Sequence, residues 1–202
     1  MDLKTIIFIG RSGSGKGTQA EKMVSFLKKH DSKKIFHLEA GNRFRNFIVE
    51  DDYSSLLARE VSKEGGLQPE FLSVWAWTYE LIRNLDKHDH LMIDGTPRRK
   101  SEAVILESAL DFYSRVNIDI VYLNVSEDWA IERMKKRGRD DDKEMSDMKN
   151  RMRWFETEVS AVLDYYRSHK IHNFYEVNGE QSIDKVFEDI LDELNLKEYL
   201  DD

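Results

Sequence analysis

Short apolar runs alternate with longer amphipathic stretches along this chain. Strand-like runs fall at 4–9, 35–38, 90–94, 118–125 and 173–178. The run from Val116 to Val125 is rich in β-branched residues, as a buried parallel strand requires. Between these runs, 16–29, 99–113, 127–136, 144–169 and 183–194 carry apolar residues at helical spacing. Strand and helix in alternation predict an α/β fold, a parallel sheet covered on both faces. Two stretches interrupt the alternation: a mostly helical excursion at 40–68 and a short, highly charged one at 137–143. Pro69, after the Gly65-Gly66 turn, is placed to open a helix. Trp75 and Trp77 would then point to different faces of it, so at most one is core. Trp154 and Phe155 fit core positions better than a stacking platform.

Composition narrows the function classes. The chain has 202 residues, 40% hydrophobic and 35% charged, which is globular and large enough for one domain. A net charge of -8 argues against a sequence-independent nucleic-acid binder. There is no cysteine, which removes disulfides and thiolate chemistry and fits a reducing compartment. No apolar run approaches a membrane span, and the opening residues read as a first strand and not as a signal peptide. These features predict a soluble, cytoplasmic protein without nucleic-acid or membrane partners, and the two excursions predict a monomer that closes on its ligand.

The chemistry concentrates in a few loops. Gly10-Arg11-Ser12-Gly13-Ser14-Gly15-Lys16 follows the first strand and opens a helix, a complete match to G-x-x-x-x-G-K. Such a loop turns successive N–H groups toward phosphate oxygens, and Lys16 adds a mobile cation. Gly17 stands where most such loops have a hydroxyl, and Thr18 follows it. Asp94-Gly95-Thr96-Pro97-Arg98 ends the third strand. A carboxylate there faces the ligand crevice and can hold Mg²⁺ through water, while the turn aims Arg98 at a second phosphate. Arg45, one turn after Gly41, would complete a guanidinium pair for a monophosphate. Arg133 and Arg137 share a helix face before the charged run Arg139-Asp140-Asp141-Asp142.

Taken together, these motifs resemble those of adenylate kinases and related nucleoside monophosphate (NMP) kinases. Gly15-Lys16-Gly17-Thr18-Gln19 has the family's form of the loop, and Asp94 to Arg98 is similar to its Asp-Gly-Phe-Pro-Arg, with Thr96 for the aromatic. Gly41 and Arg45 match Thr-Gly-Asp-Leu-Leu-Arg, with Ala40 for the Thr and Asn42 for the Asp. Gly65 to Pro69 resembles a hinge, Gly-Gln-Leu-Val-Pro, that touches the acceptor base. Arg133 to Arg151 resembles a short lid without a zinc cluster.

The resemblance implies a P-loop NTPase-type three-layer fold over 1–202, with a five-stranded parallel sheet, an NMP-binding insertion at 40–68 and a short lid at 137–143. It implies transfer of the γ-phosphate of Mg·ATP to an NMP, with AMP favoured. Lys16, Arg98, Arg139 and Arg151 would carry the transfer. Gly10, Ser12, Gly13, Ser14, Gly15, Lys16, Gly17, Thr18, Arg133, Arg137 and Gln181 would bind ATP. Gly41, Arg45, Gln68, Gly95, Arg98 and Glu102 would bind the acceptor, and Asp94 the metal. Glu102 stands where the family has an adenine-reading Gln, four residues after Arg98. A carboxylate cannot donate to adenine N1 but accepts from an exocyclic amine. Adenine, cytosine and guanine therefore remain open, as do a pyrimidine or broad-specificity kinase and a binding module without turnover.

Overall fold

The computed structural model describes residues 1–138, 144–169 and 172–200. Five strands form one parallel sheet: β1 (Thr5–Gly10), β2 (Ile35–Glu39), β3 (His90–Asp94), β4 (Ile118–Asn124) and β5 (Asn173–Asn178), in spatial order β2-β3-β1-β4-β5. β1 lies in the middle, with Thr5 in register with Leu91 on one side and Ile118 on the other. The chain moves from β1 to one flank and later crosses to the other. The crevice beyond the carboxyl ends of the strands opens at that switch.

The strand side chains alternate between two cores, as a period of two dictates. Ile7, Ile9, Leu91, Ile93, Ile118 and Ile120 face one side. There they meet Trp77 and Leu81 of α4 (Glu70–Asn84), Leu106 and Leu110 of α5 (Lys100–Phe112), and Val162 and Tyr166 of α8 (Ser160–His169). Ile6, Phe8, Met92, Val121 and Leu123 face the other side, against Met23 and Leu27 of α1 (Lys16–His30) and Val186 and Ile190 of α9 (Ile183–Glu193). The three central strands, β3, β1 and β4, are buried on both faces and are near-continuous apolar runs.

The excursion after β2 is α2 (Ala40–Phe47) and α3 (Tyr53–Lys63), and Asp52 caps α3 by accepting from the Ser54 and Ser55 N–H groups. Pro69 caps α4; Trp77 is 1% exposed in the core, whereas Trp75 is 37% exposed. The single helix expected over 144–169 is interrupted. α7 (Met145–Trp154) runs into a π-helical turn, Phe155–Val159, and then α8. The turn lies where the buried face changes partner. Met148 and Met152 before it pack on Met134 of α6 (Glu127–Arg137), while Phe155 and the residues after it pack on the sheet. The apolar spacing stays regular across it, so periodicity does not reveal it.

At the opposite end of the sheet from the crevice, His90 ties three segments together. Its ring is fully buried; Nδ1 accepts the Lys4 N–H at 3.0 Å, so Nε2 carries the proton and donates to Asp31 at 3.3 Å. Burial pushes the His90 pKa down, against the pull of Asp31. Burial would raise the Asp31 pKa, but the Lys33 N–H and ammonium together with His90 hold it below the usual carboxylate range. A second proton on His90 would displace the Lys4 N–H. A depressed histidine pKa means that the unfolded chain takes up the proton first, so the contribution is present above about pH 6.5 and is lost as pH falls below it. Denaturant unfolding from pH 7.5 to 5.5 should show parent stability falling relative to His90→Gln. The amide of that variant can make both hydrogen bonds without titrating. Parallel pH profiles would contradict the assignment.

Candidate active site

The loop after β1 is shaped by two glycines. Gly13 has φ +85°, and a Cβ there would stand 2.3 Å from the Ala130 carbonyl, so loop and α6 approach as only glycine permits. Gly15 has φ +94° with open space around it; its backbone conformation alone requires glycine. Gly15 caps α1 without a side-chain hydrogen bond, and Gly15, Lys16, Gly17 and Thr18 all line the cavity. Lys16 reaches back under the loop, and its Nζ donates to the carbonyls of Gly10 at 2.7 Å and Arg11 at 2.8 Å. Arg11 braces the loop from outside. It donates to the Val125 carbonyl at 2.9 Å, lies over the Phe155 ring at 4.3 Å and pairs with Glu156.

A cavity of about 660 Å³ opens above this loop, between it, the 40–68 excursion, α6 and α7. Ser12, Gly13, Gly15, Lys16, Gly17 and Thr18 form its floor. Gly41, Arg45, Gln68, Gly95, Arg98 and Glu102 line one end. Arg133 and Arg137 line the other, and Arg151 enters from α7. Gly10 and Ser14 lie beneath the lining; Ser14 is buried and its Oγ has no partner among the described residues. Gln181 also lies outside the lining, with its amide donating to the Asn178 carbonyl and Asp189. Arg139 and the three aspartates after it fall outside the described residues.

Positive charge converges where Arg45 and Arg98 line the cavity. Burial lowers the Arg98 pKa, and Arg151 and Arg45 push it in the same direction, while Glu102 and Asp94 oppose them. Arg45 and Arg151 each repel the Arg98 guanidinium, and a phosphate bound beside it relieves that repulsion. Arg98 is held in place: its Nε donates to the Gly95 carbonyl at 2.8 Å, and its guanidinium lies 5.4 Å from the centre of the Trp154 ring. Arg43, by contrast, pairs with Glu80 and lies over the Trp75 and Tyr79 rings.

Asp94 ends β3 beside the loop, and a Cβ at Gly17 would stand 3.3 Å from its Oδ2. Its Oδ1 is buried and accepts no hydrogen bond from the described residues. An acceptor left bare beside a phosphate loop suits a water bound to Mg²⁺, an ion usually held by one or two carboxylates, waters and substrate phosphates. Among the described residues no three metal-ligating side chains cluster into a cage.

Two aromatic residues add to the cavity. Trp154 packs against the apolar core, as expected, and also faces the cavity. Partly buried, it lines the cavity, and its Nε1 donates to the Gly65 carbonyl at 3.3 Å. Trp129 also lines the cavity, with the Arg133 guanidinium 5.8 Å from its ring. Its place four residues before Arg133, on the same helix face, is the signal that could have found it. Glu102 lines the cavity but is only 1% exposed. Its carboxylate accepts from Thr96 Oγ1 at 3.2 Å, the Arg98 N–H at 3.1 Å and Arg99 at 3.4 Å.

Comparison with known proteins agrees with this geometry. Residues 8–171 match the family model described as adenylate kinase. The adenylate kinase of Prochlorococcus marinus (strain NATL1A) is 29% identical over 184 residues, covering 91% of this chain and 94% of that protein. Adenylate kinase 1 of Nostoc sp. (strain PCC 7120 / SAG 25.82 / UTEX 2576) is 28% identical, covering 90% of this chain and 93% of its own. The adenylate kinase of Mycobacterium sp. (strain MCS) is 31% identical, covering 90% and 94%. With the phosphate loop, the parallel sheet and the cavity above it, these matches establish that the chain belongs to the adenylate kinase family and is a nucleoside monophosphate kinase.

Proposed function

We propose that the chain catalyses Mg·ATP + AMP ⇌ 2 ADP. The observation that carries this reading is the convergence of Arg45, Arg98 and Arg151 at one end of a cavity floored by the Lys16 loop. Phosphoryl transfer needs two phosphate sites in line, and little covalent chemistry from the protein. In this reading the loop N–H groups and Lys16 bind the ATP phosphates. Trp129, Arg133 and Arg137 pack against its nucleoside, and Arg45 and Arg98 hold the acceptor phosphate. Arg151, beside Arg98, spreads the charge of the group in flight, as Arg139 would. The 40–68 excursion closes over the acceptor, which excludes water and suppresses hydrolysis. Asp94 would hold Mg²⁺ through water, and the ion when bound neutralises phosphate charge. The relatives' names support AMP as acceptor. A broad-specificity reading is favoured by Glu102 in place of a base-reading Gln.

Incubation with Mg·ATP and each of AMP, CMP, UMP, GMP and dTMP, with the diphosphates measured, tests the reading. AMP should give the largest kcat/KM. A larger value for another acceptor would replace AMP, and no diphosphate from any would sink the reading. Lys16→Ala should retain less than about a tenth of the parent rate, a loss of more than ~1.4 kcal/mol of transition-state stabilisation. Its melting temperature should stay within a few degrees of the parent, because Lys16 is not among the residues of the apolar core. Retained activity would remove Lys16 from the mechanism.

A further inference from the structure

Glu102 sits in the first turn of α5 and is 1% exposed. A buried carboxylate is costly unless its oxygens are satisfied. Oε2 accepts from the Thr96 hydroxyl and the Arg98 N–H, which uses both of its lone pairs. Oε1 accepts from Arg99 Nη1, which also donates to the Gln68 carbonyl at 2.9 Å. One carboxylate thus ties the turn that carries Arg98 to the hinge at Gln68. The chain's two departures from the family pattern in this region, Thr96 for an aromatic and Glu102 for a Gln, hydrogen-bond to each other. An aromatic at 96 could not donate that bond, and a Gln at 102 would turn an N–H₂ toward other donors.

We propose that Glu102 is a positioning residue for Arg98 and does not read the acceptor base. The proposal rests on the phosphotransfer reading above and deepens it. The Thr96–Glu102 pair fixes the 95–98 turn from behind, so that Arg98 stands ready for the phosphate common to every NMP. Selection among bases falls to other groups on the cavity wall. A residue that acts through Arg98 affects all acceptors alike, whereas a base reader changes their ratios.

The test compares the parent with Glu102→Gln, Thr96→Val, Thr96→Ser and the Thr96→Val/Glu102→Gln double variant. Glu102→Gln keeps the side chain's size but faces a donor with a donor, whichever way the amide turns. Its kcat/KM should fall tenfold or more for AMP, CMP and GMP, with the ratios among them within threefold of the parent's. Thr96→Val should fall in the same pattern, and Thr96→Ser, which keeps the hydroxyl, should return to within threefold of the parent. A tenfold shift in the AMP-to-CMP or AMP-to-GMP ratio on Glu102→Gln, or no loss for any acceptor, would overturn the proposal. A second readout needs no turnover. If Thr96 acts through Glu102, the double variant should melt within about 1 °C of Glu102→Gln alone. Additive melting shifts would overturn the Thr96–Glu102 coupling. A parent that phosphorylates no acceptor would instead overturn the phosphotransfer reading, and the melting cycle would still judge the pair.

Discussion

Like charges packed beside a phosphate loop are the constraint on which this structure depends. Arg45, Arg98 and Arg151 come from α2, the turn after β3, and α7, three places far apart in sequence. Burial lowers the preference of Arg98 for being charged, and Arg151 and Arg45 add to that cost. A fold retains such an arrangement when an anion belongs in it. The negative groups nearby, Asp94 and Glu102, only partly offset the charge, and each has a task of its own.

The parallel sheet makes the convergence possible. β1 and β3 pair directly, so the Lys16 loop and the Asp94 turn leave adjacent strand ends on the same side. The close approach of Gly13 to Ala130 brings α6, with Trp129 and Arg133, against the loop. On the far side α7 bridges back to the Glu64–Gly65 turn. Asn150 donates to the Glu64 carbonyl at 2.8 Å, Trp154 donates to that of Gly65, and a Cβ at Gly65 would stand 2.7 Å from the Asp147 backbone. The two ends of the cavity are therefore linked through the helix that carries Arg151.

The strands and the phosphate loop were legible because their signals are local. A run of apolar β-branched residues, then glycines and a lysine, fixes strand, turn and helix within fifteen residues. The helices of the 40–68 excursion were legible as helical character, but not their packing onto α4. The core side of Trp154 was legible but its cavity side was not, because its partners there, Gly65 and Arg98, are distant in sequence. The bonds of Glu102 were hidden for a related reason. Counting from Arg98 finds the residue, but the pairing of its carboxylate with Thr96 and Arg99 depends on how the turn folds over the start of α5. Trp129 shows the reverse case: the i, i+4 relation to Arg133 was present in the sequence, but nothing local distinguishes it from an ordinary surface pair.

The central claim is that one cavity holds two phosphate chains end to end between Lys16 and the arginine cluster. Calorimetric titration with two adenosines joined by five phosphates tests it most directly, because that molecule spans both sites. The account predicts one ligand per chain, with binding far tighter than that of ATP or AMP alone and weakening steeply with added salt. Two ligands per chain, or an affinity no better than that of ATP, would contradict it.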